Sequence, residues 1–302
     1  MILRRLWDHD LAWSFRRSPV TVVAAALTLV CIGAAALSPW ISPQNPFDAA
    51  ALDLNAAFKP PAWIEGGDPA FFLGSDNQGR DILSTIMHGA RISLGIGLAS
   101  VVFAMALGVS LGLVAGYLGG QLDALIMRIA DVQLSFPAIL IALLIDGVAR
   151  VALGGERHDE IVIPVLVLSI GFAGWVQYAR TVRGSTMVEK EKEYVQAARV
   201  IGRRPAAIML SHVLPNVMGP VLVIATIHIA TAIITEATLS FLGVGVPATQ
   251  PSLGTLIRVG NEFLLSGEWW ITVFPGVALV VLVLSVNLLG DWLRDALNPK
   301  LR

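Results

Sequence analysis

Five long stretches of this chain contain no Asp, Glu, Lys or Arg, and they limit the possible fold more than any other feature. They cover residues 18–47, 92–122, 161–179, 213–235 and 269–290. About 20 apolar residues cross the hydrocarbon core of a bilayer as a helix, and a charge inside that core is costly. The sequence therefore predicts an all-α membrane protein with at least five transmembrane helices.

A sixth span is predicted between residues 124 and 145, although this stretch contains Arg128 and Asp131. The two residues stand three positions apart, so on a helix they share one face and can neutralise each other near one end of the span. The expected fold therefore has six transmembrane helices, of which the first covers residues 18–41.

Composition excludes several other classes of protein. Hydrophobic residues make up 55% of the chain and charged residues 14%, whereas soluble domains carry about 25% charged residues. The net charge of −1 gives no support for nucleic-acid binding, and the single cysteine, Cys31, excludes an intrachain disulfide. The sequence contains neither a G-x-x-x-x-G-K-[ST] phosphate loop nor an H-E-x-x-H motif. We therefore expect no cofactor and no metal site in this chain.

The positions of the basic residues predict an orientation. If the amino terminus is cytoplasmic, 15 of the 21 Lys and Arg residues lie on the cytoplasmic side and six lie outside. This asymmetry follows the positive-inside rule, so we expect both termini in the cytoplasm. The resulting organisation is a cytoplasmic segment at 1–17, the first helix at 18–41, an external loop at 42–90, five further helices within 91–290, and a cytoplasmic tail at 291–302.

Small residues recur at every fourth position of the second span, namely Ala104, Gly108, Gly112 and Gly116. Such a ridge lets another helix approach closely, so this span is predicted to be a packed interior helix. Prolines predict local kinks in or beside three other spans, because a proline removes a backbone donor. These prolines are Pro137, Pro164 and Pro275.

The polar segment between the spans at 161–179 and 213–235 has a helical pattern of its own. Tyr194, Ala197, Ala198 and Ile201 fall at i, i+3, i+4 and i+7 and share one face. Two of the four are alanines, so a partner can come close to the backbone. A helix lying on the membrane surface, the alternative, needs a bulky apolar face and a basic polar face. The pattern favours a helix that docks to another protein, with Ala198 at the tightest point.

The end of this helix is marked by a glycine and two prolines. Gly202 is placed to end the helix in a left-handed cap, and Pro205 suits the first turn of the next helix. Pro215 is expected to stop that second helix where the next span begins. We refer to residues 183–216 as the coupling segment.

The sequence "QAARVIGRRPAAIMLSHVLPN", residues 196–216, resembles the EAA motif of the membrane subunits of binding-protein-dependent ABC importers. It has the alanine pair, a glycine four residues after the second alanine, and the terminal Leu-Pro. Gln196 stands for the usual Glu and His212 for the usual apolar residue, while the alanine face and the glycine turn are kept. The resemblance implies a coupling helix that docks an ATPase through Glu193, Tyr194, Gln196, Ala197, Ala198, Ile201, Gly202, Leu214 and Pro215.

Three further stretches, residues 72–94, 235–257 and 274–302, resemble the C-type permease subunits of dipeptide and oligopeptide importers. The resemblance implies a type I ABC importer fold in the bacterial inner (plasma) membrane, working by alternating access. It also implies a second homologous permease, two ABC ATPase subunits that carry ATP and Mg²⁺, and an external solute-binding protein. The chain itself is then a transport subunit in membrane lipid and not an enzyme. The cargo stays open among dipeptides, longer peptides, glutathione-like molecules and metal chelates.

Two alternatives belong to other classes. "GVSLG", residues 108–112, matches the G-x-S-x-G pattern, and His228 is a candidate base for Ser110 in an intramembrane serine hydrolase. The motif lies on a long apolar helix and not at a strand-to-helix turn, and its glycines already have a packing role. A passive channel, the other alternative, explains the spans but not the docking helix.

Two ionisable residues inside the spans are candidates for the translocation pathway. His228 lies in the middle of the span at 213–235 and is either a hydrogen-bonded interior residue or part of the pathway lining. Glu236 follows that span directly and either caps loop backbone or faces the solute cavity.

Overall fold

The fold of the chain is taken from a computed structural model, which describes residues 10–48, 52–153 and 155–297. Parts of the predicted terminal segments, residues 1–9 and 298–302, lie outside the described residues. Within the described residues, the only β-type contact is an isolated bridge between Ser75 and Asp81. The α-helices are α1 Asp10–Arg17, α2 Pro19–Ile41, α3 Ile82–Leu118, α4 Gly120–Leu134, α5 Ala138–Leu153, α6 Gly155–Glu189, α7 Glu193–Val200, α8 Pro205–Ile208, α9 Leu214–Phe241, α10 Leu253–Asn261 and α11 Trp270–Leu297.

Five of the described helical stretches are long and apolar enough to cross a membrane, and each contains most of one predicted run. They cover Pro19–Ile41, Ile82–Leu118, Ile161–Glu189, Pro205–Phe241 and Trp270–Ala296. The first begins where Ser18 caps it, because the Ser18 hydroxyl accepts a hydrogen bond from the Thr21 amide at 3.3 Å. The prediction of an all-α membrane protein is confirmed.

The predicted sixth span consists of two helices, α4 and α5, which meet at a bend of 95°. The break falls just before Pro137, because this proline cannot supply the amide that a continuous helix needs. The expected neutralisation of Asp131 by Arg128 is wrong. Asp131 accepts a hydrogen bond from Arg180 of α6, and this ion pair between helices replaces the pair predicted within one helix.

The predicted ridge of small residues on α3 packs against α6. A Cβ atom added at Gly108 would overlap the carbonyl oxygen of Trp175, and one at Gly116 would lie 2.7 Å from the carbonyl oxygen of Arg183. Ala104, the first residue of the ridge, is fully buried. The backbones of α3 and α6 are in contact over this length, which confirms that α3 is an interior helix.

The loop between α2 and α3 folds against the ends of later helices. Arg80 pairs with Asp76 at 2.6 Å, and both side chains are buried. Arg80 also donates to the carbonyl oxygen of Ala248 at 3.2 Å. Trp270, at the start of α11, donates its indole N–H to the carbonyl oxygen of Ser75 at 3.1 Å. The loop therefore forms a fixed cap over one end of the bundle, opposite the end that carries α7.

Candidate functional site

The inner face of α7 packs onto the protein's own core. Val195 is fully buried and Ala198 is 4% exposed, in a cluster with Leu113 of α3 and with Tyr178 and Val182 of α6. The prediction that Ala198 lies at the tightest point of a docking surface is therefore corrected. The small side chain at Ala198 lets α7 approach its own transmembrane helices, so the close contact is within the chain.

The outer face of α7 carries exposed apolar side chains at its last turn. Val200 is 88% exposed and Ile201 is 74% exposed, and Ala197 and Glu193 lie on the same side of the helix. We call Glu193, Ala197, Val200 and Ile201 the outer face of α7. Val200 was missed in the sequence analysis, although it lies seven residues after Glu193 and three after Ala197, the spacing of one helix face.

Gly202 ends α7 as predicted. Its φ of +78° lies in the left-handed region, and its amide donates to the carbonyl oxygen of Arg199 at 3.0 Å. The Arg203 amide donates to the carbonyl oxygen of Ala198 at 3.1 Å, which completes a Schellman motif. This cap turns the chain so that Pro205 can occupy the first turn of α8.

Pro215 does not stop α8, contrary to the prediction. The chain passes from α8 through a single π turn, Met209–Val213, directly into α9, where Pro215 occupies the first turn. A proline is tolerated there because the first amides of a helix have no partner within it. Leu214 packs partly against the core cluster beneath α7, while Pro215 is exposed.

Polar contacts at both ends fix α7 to the transmembrane helices. The Tyr194 hydroxyl donates to Glu189 of α6 and accepts a hydrogen bond from Asn216 of α9 at 3.1 Å. Partial burial, together with the hydrogen bond to Glu189 and its charge, raises the pKa of Tyr194 to about 12. The hydroxyl therefore stays protonated and available as a donor. The Arg199 guanidinium stacks over the Tyr117 ring at 5.2 Å, at the end of α3.

The remaining residues near α7 have local roles. The Gln196 amide donates to Glu191 at 3.2 Å. Lys190 donates to the carbonyl oxygen of Gly116 at 2.9 Å, near the end of α3, where backbone carbonyls lack helical partners. The Tyr194 and Arg199 contacts therefore join α7 to α6, α9 and α3, and the Lys190 contact joins the segment just before α7 to α3.

A cavity of about 250 Å³ lies between α5, α6 and α9. His228 lines it, and the His228 Nδ1 atom is 3.0 Å from the Tyr178 hydroxyl oxygen. The ring lies over Gly174, where any Cβ atom would overlap it. His228 is therefore hydrogen-bonded inside the bundle, which was the first possibility, and it also lines this cavity, while its place in the translocation pathway stays a prediction.

Glu236 does not line this cavity. Its side chain is fully buried and accepts hydrogen bonds at 2.7 Å from Ser93 of α3 and from Ser240 of α9. These two hydroxyls in turn accept from the backbone amides of Leu253 and Val246. The carboxylate therefore organises the loop backbone after α9 through the two serines, which is the first of the two roles considered for it.

The structure does not assemble the site that the hydrolase alternative requires. The Ser110 hydroxyl lies on an exposed face of α3 and donates to the carbonyl oxygen of Ala106 at 2.7 Å, within its own helix. His228 instead contacts Tyr178 and Gly174 on α6. Because Ser110 and His228 do not face each other, the nucleophile and base that the chemistry requires are not brought together.

The α-helical membrane bundle, with a short helix packed against one end, fits the membrane subunit of a transporter. The sequence profile of the family described as "Binding-protein-dependent transport system inner membrane component" matches residues 108–302, and the chain belongs to this family. It is therefore a multi-pass inner-membrane permease subunit of a binding-protein-dependent ABC importer, and not an enzyme or a passive channel. The family works with a solute-binding protein and with ATPase subunits.

Curated relatives match over nearly the whole chain. The chain is 37% identical over 300 residues to the "Di/tripeptide transport system permease protein DppC" of Pseudomonas aeruginosa, covering 99% of this chain and 93% of that protein. It is also 37% identical to the "Dipeptide transport system permease protein DppC" of Escherichia coli, over 99% and 94% of the two chains. The "Glutathione transport system permease protein GsiD" of Pectobacterium atrosepticum is 38% identical over 291 residues, covering 95% of this chain and 89% of that protein.

A solved structure shares the fold. A chain of the MetNI methionine ABC transporter, in an inward-facing conformation, matches with a TM-score of 0.54 and 20% identity. The match covers 71% of this chain and 96% of that chain. At this identity the likeness supports the type I ABC importer fold and says nothing about cargo.

Proposed function

We propose that this chain is the C-type half of the translocation pathway of an importer for dipeptides or short oligopeptides. The support for this cargo is that its full-length relatives are named as permeases for dipeptides, di- and tripeptides, and glutathione. These solutes are all short peptides with at least one free carboxylate. The cavity beside His228, with polar side chains on a mostly apolar wall, suits the passage of such a solute.

The packing of α7 is the observation that supports an ATP-driven transporter. Its inner face is locked onto the core, while the exposed apolar side chains of Val200 and Ile201 project from its outer face. Exposed apolar groups at the polar end of a membrane protein indicate a protein interface. We assign this outer face to an ATPase subunit, so α7 and both termini would lie in the cytoplasm.

The complete transporter would contain four further subunits. They are a second homologous permease, which would complete the pathway, two ABC ATPase subunits, which would bind ATP and Mg²⁺, and an external solute-binding protein. Closure of the ATPase pair would draw the coupling segments of both permeases together and open the cavity outward to the loaded binding protein. Hydrolysis would then return the transporter to its inward-facing state.

Reconstitution of the five-subunit complex in proteoliposomes tests the proposal. We expect binding protein loaded with Ala-Ala to stimulate ATP hydrolysis and to deliver the labelled dipeptide into the lumen. Binding protein without peptide, and a complex whose ATPases cannot hydrolyse ATP, are the controls. Stimulation by an unrelated solute such as methionine, with none by di- or tripeptides, would contradict the proposed cargo and leave the family assignment intact.

A further inference from the structure

Few of the side chains that line the cavity between α5, α6 and α9 can donate a hydrogen bond to a solute. The Thr231 and Thr235 hydroxyls line it but donate to backbone carbonyls of their own helix, the latter at 2.9 Å. Toward a solute, these two hydroxyls can therefore act only as hydrogen-bond acceptors. Among the residues that line the cavity, His228 and Gln177 are the two whose side chains carry N–H donors.

The hydrogen bond between His228 and Tyr178 sets which ring nitrogen carries the proton. Tyr178 is fully buried, and a buried phenol requires an acceptor for its O–H. Within the described part of the chain, this hydroxyl has one hydrogen-bond partner, His228 Nδ1, at 3.0 Å. The phenol therefore donates to Nδ1, and a neutral His228 carries its own proton on Nε2.

Gly174 leaves room for the ring in this orientation. A Cβ atom on residue 174 would overlap the ring at Cε1 and Nε2, so only glycine allows His228 to lie against α6. The Nε2–H donates to no group in the described residues, although both His228 and Gly174 line the cavity. The ring is thus held at Nδ1 by Tyr178 and rests against Gly174, so its Nε2–H stays available to a solute in the cavity that His228 lines.

We propose that His228 is a specificity-determining residue of the pathway, whose Nε2–H donates a hydrogen bond to a carboxylate or peptide carbonyl oxygen of the passing solute. Tyr178 and Gly174 are positioning residues, which fix the proton and the plane of the ring. This inference rests on the proposed peptide cargo. It goes further by assigning recognition of an acceptor group to the permease and not to the binding protein alone.

The test uses the reconstituted five-subunit complex with labelled Ala-Ala as the probe. His228→Phe keeps a ring of similar size but has no N–H, while His228→Gln keeps an amide N–H donor. Thr226→Val is the matched control, because Thr226 lies on the same helix, faces away from the cavity, and donates only to the carbonyl oxygen of Val223. The two readouts are dipeptide uptake per ATP hydrolysed and the rate of ATP hydrolysis stimulated by the binding protein.

We expect His228→Phe to lower uptake per ATP about tenfold, the effect of losing one hydrogen bond to a charged group. Stimulated ATP hydrolysis should persist, which shows that the variant complex is folded and assembled. His228→Gln should recover most of the uptake, Tyr178→Phe should give an intermediate loss, and Thr226→Val should behave as the wild type.

Two kinds of result separate this inference from the proposed function. Normal uptake in His228→Phe, or an equal loss in His228→Phe and His228→Gln, would overturn the role of His228 and leave the peptide importer standing. A loss of stimulated ATP hydrolysis in both variants would assign His228 to folding and would likewise overturn the inference. Failure of the wild-type complex to take up Ala-Ala would overturn both.

Discussion

At the scale of single residues, the glycines of α3 bring this helix into direct contact with the backbone of α6. A Cβ atom on residue 112 would overlap the Ala179 carbonyl oxygen and lie 3.0 Å from the Val182 Cβ atom. The neighbouring Ser110 faces outward and bonds only to its own helix. Gly112 faces the backbone of α6 and Ser110 does not, so we expect substitutions at these two positions to have very different effects.

The first prediction compares these two positions. Gly112→Leu should lower the yield of folded protein, since separating α3 from α6 costs about 1–3 kcal/mol or more. Ser110→Ala should leave both yield and transport unchanged. Fluorescence-detected size-exclusion chromatography of detergent extracts measures the yield, and uptake assays measure function. Lost transport in Ser110→Ala at normal abundance would revive the hydrolase alternative.

The second prediction concerns the buried carboxylate of Glu236. Glu236→Ala leaves the hydroxyls of Ser93 and Ser240 without their acceptor, which should destabilise the protein by about 1–3 kcal/mol. Glu236→Gln keeps one acceptor oxygen and should cost less. Thermal unfolding in detergent measures both. Equal stability of Glu236→Ala and the wild type would show that the serine hydroxyls find other partners and that the network does not hold the loop.

At the scale of elements, α7 has one buried and one exposed face, and two adjacent alanines lie on different faces. Ala198 faces the core and Ala197 faces outward. The third prediction is that Ala198→Arg lowers the folded yield, because a charge would enter an apolar cluster. Ala197→Arg should leave the yield unchanged but weaken ATPase binding. Copurification of the ATPase at matched membrane abundance measures the difference.

The opposite pattern would contradict this assignment of faces. If Ala198→Arg folded normally and lost the ATPase, while Ala197→Arg kept it, the docking surface would be the face that the structure shows buried. If both variants retained the ATPase and uptake, α7 would not be the docking element.

The fourth prediction tests the cap of α7. No atom lies within 4 Å of a Cβ atom built on residue 202, so a side chain there meets no steric obstacle and only the φ of +78° opposes it. Gly202→Val should cost about 1–2 kcal/mol and loosen the coupling of ATP hydrolysis to uptake. Gly202→Asn is the matched control, since asparagine tolerates this conformation. Equal coupling in the two variants would argue that the direction of the turn is not needed.

At the scale of the whole molecule, the charge asymmetry is the basis for the predicted orientation in the membrane. The fifth prediction is that a cysteine at Asp68 is labelled by an impermeant maleimide in intact cells, whereas one at Glu191 is labelled only after lysis. Glu191 is exposed and Asp68 is partly exposed. Cys31 is first replaced by serine, so that each variant contains one thiol. Labelling at Glu191 in intact cells, with none at Asp68, would reverse the orientation.

The sequence by itself determined the features that depend on local composition. The lengths of the apolar runs determined the spans, because a bilayer excludes charge whatever the packing. The four-residue spacing of Gly108 and Gly112 determined the contact face of α3, since small residues at that spacing serve few other purposes. The end of α7 could be predicted from Gly202, because a left-handed cap depends on the residue type at that one position.

Only the tertiary structure decided which partner covers each face. Helical periodicity placed Ala197 and Ala198 on one face of α7, whereas in the structure Ala198 is buried against the chain's own core and Ala197 is exposed. Asp131 finds Arg180 at a separation of 49 residues, a contact that no local spacing reveals. The role of Glu236 was hidden for the same reason, since its partner Ser93 comes from a helix 143 residues away. Periodicity defines faces, whereas the arrangement of the helices assigns their neighbours.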